Sequence, residues 1–244
     1  MYGTYMNVAT VTIGTIIGVT VGKRLKPHYK ELTMHALGLA TLAMGAQMFM
    51  AAPNAIIGIV SIVSVIVGGL IGELIGIEKG LNAIGEYAQK RLPNGDGSHF
   101  QQAFVTTSIV FCVGPMTIIG CLQDGLGQGF QLLALKSILD LFSSTFFAAA
   151  FGWGVLLSAG TVLVAQGSLT IAAGTLSGMA KTDPTMLAMT AAGGIILLGI
   201  GFRLLEMKNI RVSNLIPGLA LAPLIIWFLI NQGWYNYLVS IVNK

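Results

Sequence analysis

Charged residues are scarce in this chain. Asp, Glu, Lys and Arg make up 9% of its 244 residues, hydrophobic residues make up 55%, and the mean hydropathy is +0.81. Soluble domains carry about 25% charged residues, so a water-facing globule of this size would lack the polar surface it needs. The composition therefore argues against a soluble protein and predicts a chain that lies almost entirely in or near a lipid bilayer.

Cysteine, histidine and enzyme motifs are also scarce. Cys112 and Cys121 lie in one apolar run and on opposite sides of a helix, so no disulfide framework is implied. The histidines, His28, His35 and His99, show no metal-ligand spacing. No G-x-S-x-G, P-loop or H-E-x-x-H pattern is present. We therefore expect no enzyme activity, no metal and no cofactor. Because the basic residues lie in short loops, we also expect no nucleic acid partner.

Apolar runs recur along nearly the whole chain, and each membrane crossing needs about 20 helical residues. They predict an all-α, polytopic transmembrane helical bundle of about eight spans: 3–22, 32–52, 55–77, 103–122, 132–151, 155–178, 185–205 and 215–230. The uncharged stretch 141–180 is too long for one span, and Gly152, Gly154 and Gly160 offer a place to turn. We interpret residues 1–244 as a single integral membrane domain whose main partner is the lipid bilayer.

Loop charges test the number of spans independently. With eight spans and both termini outside, all basic residues lie on the cytoplasmic side except Lys136, Lys181 and Lys244. Merging the fifth and sixth spans would send Lys208 and Arg211 outside, against the positive-inside tendency. The loop charges therefore favour eight spans with both termini outside.

One cytoplasmic loop is long enough to have a structure of its own. Residues 78–92 carry apolar side chains at helical spacing with charges between them, which predicts a short interfacial helix. The turn cluster 93–97 ends it, so the predicted helix and turn cover residues 78–98. A membrane-surface connector and a regulatory or partner-binding element are both open interpretations.

Glycines repeat every fourth residue in the first and third spans. The two sets are Gly14, Gly18 and Gly22, and Gly68, Gly72 and Gly76. Glycines on one flank of a helix let a second helix approach closely. Both sets lie at the cytoplasmic ends of spans that run in the same direction. We therefore expect these two helices to pack closely, either with one another or across the interface of a homo-oligomer.

A short internal similarity links the second and seventh spans. Each contains two glycines seven residues apart, in the segments 38–45 and 194–201, followed by a polar residue, Gln47 or Arg203. In the eight-span topology these spans run in opposite directions, as corresponding helices do in an inverted-repeat transporter. The similarity is therefore consistent with an inverted repeat.

Two ionisable residues lie deep inside the fifth span, where each costs about 2.5 to 3.5 kcal/mol on insertion scales. Lys136 and Asp140 are one helical turn apart, and Asp140 lies about 12 Å from the start of the span, near the midplane. One interpretation is an ion pair that only supports folding. The other is an ion or proton site with Asp140 as the principal ligand and Lys136 as its modulator.

Two further features lie at a similar depth, about 16 Å into the fourth and sixth spans. Pro115 removes an amide donor and frees the carbonyl four residues earlier, while Gly114 lowers the cost of a bend, so a broken helix is predicted. Gln166 and Ser168 offer neutral ligands in the sixth span. A kink used only for packing, and hydrogen bonds that only bridge helices, are the structural alternatives.

Broken helices and polar side chains that meet at the midplane form the binding sites of secondary transporters. The glycine-rich stretch that contains Gln123 and Asp124 follows the fourth span and is predicted to form a re-entrant cap, with Asp124 at the outer mouth. We predict a gradient-driven carrier or channel for an ion or small polar solute. A non-transporting structural or regulatory membrane protein is the alternative, and a lipid-modifying enzyme ranks third because no nucleophile and base are paired.

Several ordered stretches resemble one bacterial membrane-protein family. They are 22–25, 38–39, 68–73, 111–116, 123–125, 136–140, 166–168 and 208–217. Together they resemble the domain of unknown function 554 family, the YdfK/YqgA-like proteins, up to about Pro223. The tail from Trp227 departs from the pattern, and its aromatic residues look like an interfacial anchor. The resemblance implies a multi-pass protein of the bacterial cytoplasmic (inner) membrane and no established activity.

Overall fold

The structure is a computed structural model that describes residues 1–24, 26–89, 97–112, 115–173 and 183–242. Within these residues every regular element is helical, which confirms the predicted all-α class. The helices are α1 (Tyr2–Gly22), α2 (Pro27–Met50), α3 (Ala55–Ile75), α4 (Ile77–Gln89), α5 (Gly97–Cys112), α6 (Pro115–Gly125), α7 (Gln131–Phe151), α8 (Leu156–Ile171), α9 (Pro184–Leu204), α10 (Pro217–Asn231) and α11 (Trp234–Val242). A 3₁₀ turn, Gly152–Val155, follows α7, and a second one, Val212–Leu215, precedes α10.

Proline marks the start of four helices. The proline ring fixes φ near the helical value, and its missing N–H has no partner to lose in the first turn. The four residues are Pro27, Pro115, Pro184 and Pro217. α3 instead begins with a side-chain cap, since the Asn54 side chain accepts the N–H of Ile57 at 3.0 Å. These local signals set where the apolar helices begin.

Six helical segments of the described chain are long and apolar enough to cross a membrane. A bent pair, Phe100–Cys112 and Met116–Gly125, makes a seventh, and its two halves meet at 62°. This bend confirms the broken helix predicted in the fourth span. One of the six segments, Gln131–Ile171, has 41 residues, which is about twice the length that one crossing needs.

The segment Gln131–Ile171 folds back on itself beside α1. Three contacts along α1 define its course: Leu133 with Gly3, Ala149 with Gly22, and Thr170 with Thr4. α7 therefore runs parallel to α1, and α8 returns antiparallel to it. The 3₁₀ turn between them reverses the chain at Gly152, whose φ of 82° is a conformation that favours glycine. Counted as two crossings, this segment brings the total to the predicted eight.

The chain divides into two compact units, each built from two separate stretches. Unit 1 comprises Met1–Leu37 and Gly80–Gly178, and unit 2 comprises Gly38–Lys79 and Met179–Lys244. In the sequence, the recurring apolar runs indicated one membrane domain over the whole chain. The division was not visible there because each unit joins helices that are far apart in sequence.

Helix directions within each unit agree with an alternating eight-span path. In unit 1, α5 and α6 run parallel to α8, since Gly154 packs against Phe100 and Gly125 packs against Thr170. In unit 2, α3 runs parallel to α9 and antiparallel to α10. The unit 2 contacts that show this are Ser61 with Ala188, Glu78 with Arg203, Gly68 with Gly218, and Gly72 with Asn214.

The glycine flanks are contact surfaces in both units, but their partners differ from those predicted. A Cβ atom on Gly14, Gly18 or Gly22 would overlap backbone or side-chain atoms of α7. A Cβ on Gly68 or Gly72 would overlap the backbone around Pro217 or Asn214. Each flank is thus occupied inside its own unit, so neither needs a second copy of the chain. Gly76 has a different role, because with φ at 74° it ends α3 as a left-handed cap.

The paired glycines of the second and seventh spans pack against each other in unit 2. A Cβ on Gly45 would lie 2.8 Å from the carbonyl oxygen of Gly194, and a Cβ on Gly201 would lie 3.1 Å from that of Gly38. The two helices, α2 and α9, therefore cross antiparallel with their glycines facing. Mutual close packing accounts for the shared seven-residue spacing without requiring an inverted repeat.

The predicted interfacial element corresponds in part to α4. This helix covers Ile77–Gln89, so the amphipathic stretch is helical as expected. Its first residues belong to unit 2 and the remainder to unit 1. The predicted turn cluster begins at Pro93, and residues 93–96 lie outside the described residues.

Candidate functional site

Lys136 and Asp140 form a buried ion pair on α7. The Lys136 ammonium lies 2.5 Å from Oδ2 of Asp140, and each side chain is 8% exposed. Their four-residue spacing places both on the helix face turned into unit 1. A buried charge is tolerated only when it is paired and hydrogen-bonded, so each residue depends on the other.

α1 supplies a partner for this pair that the sequence analysis missed. Asn7 is fully buried, and its side-chain amide donates to Oδ2 of Asp140 at 2.9 Å. The only sequence signal was a lone amide residue in an uncharged first span. Its significance depends on the parallel packing of α1 against α7, which brings together residues 133 positions apart.

The helix break lies beside Lys136. Pro115 begins α6, and the carbonyl that loses its α-helical donor belongs to Phe111, four residues earlier. Thr117 compensates by donating its hydroxyl to that carbonyl at 3.3 Å. The Phe111 ring centroid lies 6.0 Å from the Lys136 ammonium, at the outer limit of a cation–π contact. Gly114, the other predicted residue of the break, lies outside the described residues.

Gln166 on α8 is completely buried and lacks a hydrogen-bond partner among the described residues. Both its amide nitrogen and its carbonyl oxygen are without one. A buried polar atom left unpaired costs about 1–3 kcal/mol, so two such atoms on one side chain are a substantial penalty. Most neighbouring buried hydroxyls, such as those of Thr107, Ser137 and Thr170, donate to a carbonyl of their own helix instead.

Helix register places Gln166 at the level of Asn7. The hydroxyls of Thr4 and Thr170 lie 3.4 Å apart, which sets the alignment of α1 with the antiparallel α8. One turn further into the unit, α1 carries Asn7 and α8 carries Gln166. Gln166 and Thr170 share a face of α8, since they are four residues apart. The unpaired amide therefore lies at the level at which α1 contacts Asp140.

Gln166 also lies at the level of the helix break between α5 and α6. Ser108 on α5 donates to the hydroxyl of Thr161 on α8 at 3.0 Å. Further along these parallel helices lie Cys112, the last residue of α5, about 6 Å beyond Ser108, and Gln166, about 8 Å beyond Thr161. The ion pair, the break and the unpaired amide therefore occupy one level of unit 1, which we call the polar level.

The polar level lies nearer to the end of unit 1 at which α1 and α7 begin. Measured along α1, Asn7 lies about 8 Å from the helix start, and measured along α8, Gln166 lies about 8 Å from the helix end. On α7, which starts at nearly the same level, Lys136 lies about 8 Å and Asp140 about 14 Å from the helix start. Measured from its own start at Leu156, α8 carries Gln166 about 15 Å along its length, close to the depth predicted for the sixth span.

Ser168 does not join the polar level. It is exposed on α8, on the same side as Val164 and Ile171, and its hydroxyl donates to the Ala165 carbonyl of its own helix at 3.0 Å. Two residues along a helix turn a side chain by about 200°, so Ser168 points away from the face that carries Gln166. The two residues predicted as neutral ligands therefore lie on different faces of α8.

Asp124 and Gln123 lie at the end of α6 rather than in a re-entrant segment. The Asp124 carboxylate accepts the Met1 amine at 3.0 Å and the Gly3 amide at 3.1 Å, where the dipole of α1 favours negative charge. The Gln123 carbonyl accepts the amide of Gln128 at 2.9 Å and closes an exposed turn. Asp124 therefore lies at the end of unit 1 at which α1 begins. The chain forms a short turn where a re-entrant cap was predicted.

A second charged group lies at one end of unit 2. Glu78 accepts from Arg203 at 3.3 Å and from the Ser213 amide at 3.3 Å. Asn214 connects the two acidic residues, since its side chain accepts the backbone N–H of Glu78 at 2.8 Å and donates to the Glu73 carboxylate at 2.7 Å. Arg211 pairs with Glu73 nearer the surface. The group is a network that joins α3, α4, α9 and the turn before α10.

The polar level offers both charges and a neutral amide in a buried environment. Among the described residues, Lys136 uses one of its three N–H donors, and Oδ1 of Asp140 has no hydrogen-bond partner. The level can therefore still donate to and accept from a small polar molecule. This unused capacity distinguishes it from the network around Glu78, whose two carboxylate oxygens both have partners.

Comparison with known proteins gives the family. Residues 2–227 match the family described as "Protein of unknown function (DUF554)", and the chain therefore belongs to that family. "Uncharacterized membrane protein YdfK" of Bacillus subtilis (strain 168) is 29% identical over 228 residues, covering 93% of this chain and 96% of the relative. "Uncharacterized protein YqgA" of Escherichia coli (strain K12) is 30% identical over 225 residues, covering 90% and 94%. No solved structure matches the chain significantly.

Proposed function

We propose that this membrane protein of the DUF554 family is a gradient-driven transporter, either a carrier or a channel, for a small polar solute or ion. The solute binds in unit 1 at the polar level, with Asp140 and Lys136 as charged ligands and Gln166 as the neutral one. No nucleotide-binding motif is present in the sequence, so the energy source is a gradient. The protein lies in the bacterial inner membrane with both termini outside.

The observation that carries the proposal is the unpaired amide of Gln166. A purely structural bundle gains stability from a leucine at a fully buried position and gains nothing from two unpaired polar atoms. A polar side chain of this kind is retained where water or a solute provides its partners. Its position at the level of a buried ion pair and a broken helix matches the construction of transporter sites.

Asn7 favours the competing structural role for the ion pair. Because it donates to Asp140 from a second helix, the pair also ties α1 to α7. Under that role the pair only supports folding, and replacing it by apolar residues leaves the protein intact. The two functions therefore make opposite predictions for variants of the polar level.

The test is solute flux into proteoliposomes that contain the purified protein. The panel contains inorganic cations and anions, pH gradients and amino acids. The Asp140→Asn variant is expected to lose flux, because it removes the negative ligand. Glu73→Gln is the matched control, since it neutralises a carboxylate in unit 2, and it is expected to retain flux. Thermal unfolding in detergent establishes that each variant is folded.

A second variant keeps the test decisive if Asp140→Asn fails to fold. Gln166→Leu removes the unpaired amide without leaving a buried charge, so it is expected to fold at least as well as the parent. Loss of flux in folded Gln166→Leu supports the proposal. Full flux in this variant, or no flux of any solute through the folded parent protein, contradicts it and favours the structural role.

A further inference from the structure

The polar level carries one positive and one negative group with bonding capacity left on both. Lys136 retains N–H donors and Asp140 retains an acceptor oxygen within the described structure, while the amide of Gln166 offers one donor group and one acceptor. The level as a whole therefore presents both donors and acceptors. A ligand that satisfies it must also present both.

Charge balance restricts the ligand further. The Lys136–Asp140 pair is neutral, and both side chains are 8% exposed, so they are largely shielded from water. A cation that approaches Asp140 is repelled by the adjacent ammonium, and an anion that approaches Lys136 is repelled by the adjacent carboxylate. A net charge brought to a neutral buried pair is also left uncompensated, which is unfavourable in a low dielectric.

A zwitterion avoids both penalties. Its carboxylate can lie against Lys136 and its ammonium against Asp140, so that the site stays neutral when it is filled. Gln166 can then contact either group, because its amide both donates and accepts. We infer that the solute bound at the polar level is a small zwitterion, a molecule that carries one ammonium and one carboxylate group.

This inference rests on the proposed transport function and narrows its solute class. It is tested by equilibrium dialysis of the purified, detergent-solubilised protein against radiolabelled glycine, L-alanine and L-glutamine. Acetate and methylammonium are the single-charge analogues, since each carries one of the two charged groups of glycine. At least one zwitterion is expected to bind about tenfold more tightly than either analogue, and Gln166→Leu is expected to weaken that binding about tenfold or more.

The outcomes separate this inference from the proposed function. Zwitterion binding that is lost in Gln166→Leu and retained in Glu73→Gln supports the inference. Equal or tighter binding of acetate or methylammonium overturns it. Flux of an inorganic ion that depends on Asp140, without zwitterion binding, overturns the inference and supports transport. Absence of all binding, together with absence of all flux, overturns both.

Discussion

The interiors of the two units are both largely apolar, but they bury different polar groups. Unit 2 has a described core of small and branched apolar residues: Ile57, Val65, Ala188, Ala192, Ala222 and Ile226. Unit 1 also has buried apolar residues, such as Phe111 and Phe147, and in addition buries the Lys136–Asp140 pair, Asn7 and the unpaired amide of Gln166. Both units use glycine flanks to bring helices close together. The units therefore share a packing principle and differ in what they enclose.

The buried charges of the two units also differ in position. In unit 2 the Glu78–Arg203 pair lies where helices end, so backbone amides and loop side chains can complete its hydrogen bonds. In unit 1 the pair lies within α7, and only Asn7 assists it among the described residues. The difference indicates that the unit 2 charges fasten helix ends and that those of unit 1 have unused bonding capacity.

The largest loss of stability is expected from replacing one residue of the Lys136–Asp140 pair in unit 1. Lys136→Met leaves the Asp140 carboxylate buried without a counter-charge, so the free energy of unfolding should fall by about 3–5 kcal/mol. The double variant Lys136→Met/Asp140→Leu should recover most of this loss but carry no flux. Denaturant unfolding in detergent and proteoliposome flux are the measurements. A double variant that transports normally would reduce the pair to a structural role.

A cavity in the unit 2 core should lower the free energy of unfolding nearly as much as Lys136→Met does, but it should leave transport intact. Ile57→Ala removes a fully buried side chain from the apolar cluster and should lower the free energy of unfolding by about 2–5 kcal/mol. Flux per folded molecule should equal that of the parent, since the polar level lies in unit 1. Loss of flux in correctly folded Ile57→Ala would show that unit 2 takes part in transport, and the contrast between the units would fail.

Adding a side chain at the glycine flanks should lower the stability of both units. A Cβ on Gly18 would overlap the carbonyl of Thr145, so Gly18→Val should destabilise the protein by about 1–3 kcal/mol. Gly72→Val in unit 2 should act similarly. Gly160→Val is the matched control, because no atom lies within 4 Å of the added Cβ, and its effect should stay within about 0.5 kcal/mol. Equal effects at Gly18 and Gly160 would rule out close helix contact as the cause.

The smallest effect is expected at the surface of the unit 2 network. The side chain of Arg211 is 63% exposed and that of Arg203 is 16% exposed. Arg211→Ala should therefore cost about 1 kcal/mol or less, and the loss should diminish further in high salt. Arg203→Ala should cost more, because it leaves the buried Glu78 carboxylate without its cation. Thermal unfolding at two salt concentrations compares the two variants. A larger loss of stability for Arg211→Ala than for Arg203→Ala would mean that burial does not determine the contribution of these ion pairs.

Much of the fold was predictable because it depends on local features. Apolar length, proline at helix starts and glycine at reversals gave the all-α class, the broken fourth span and the two crossings within residues 131–171. The helix ends were less predictable, as α8 shows. An apolar run fixes that a segment prefers lipid or protein over water, but it does not fix where the helix stops.

The sequence alone determined that this is a multi-pass helical membrane protein with an ion pair at residues 136 and 140, since hydropathy and four-residue spacing act within one helix. Only the tertiary structure decided which helices meet. It brought Asn7 to Asp140, assigned each glycine flank to a partner in its own unit, turned Ser168 away and left the Gln166 amide unpaired among the described residues. The physical reason is that a helix's own sequence determines which residues share a face, whereas the rotation and register of that face against another helix depend on packing between distant segments.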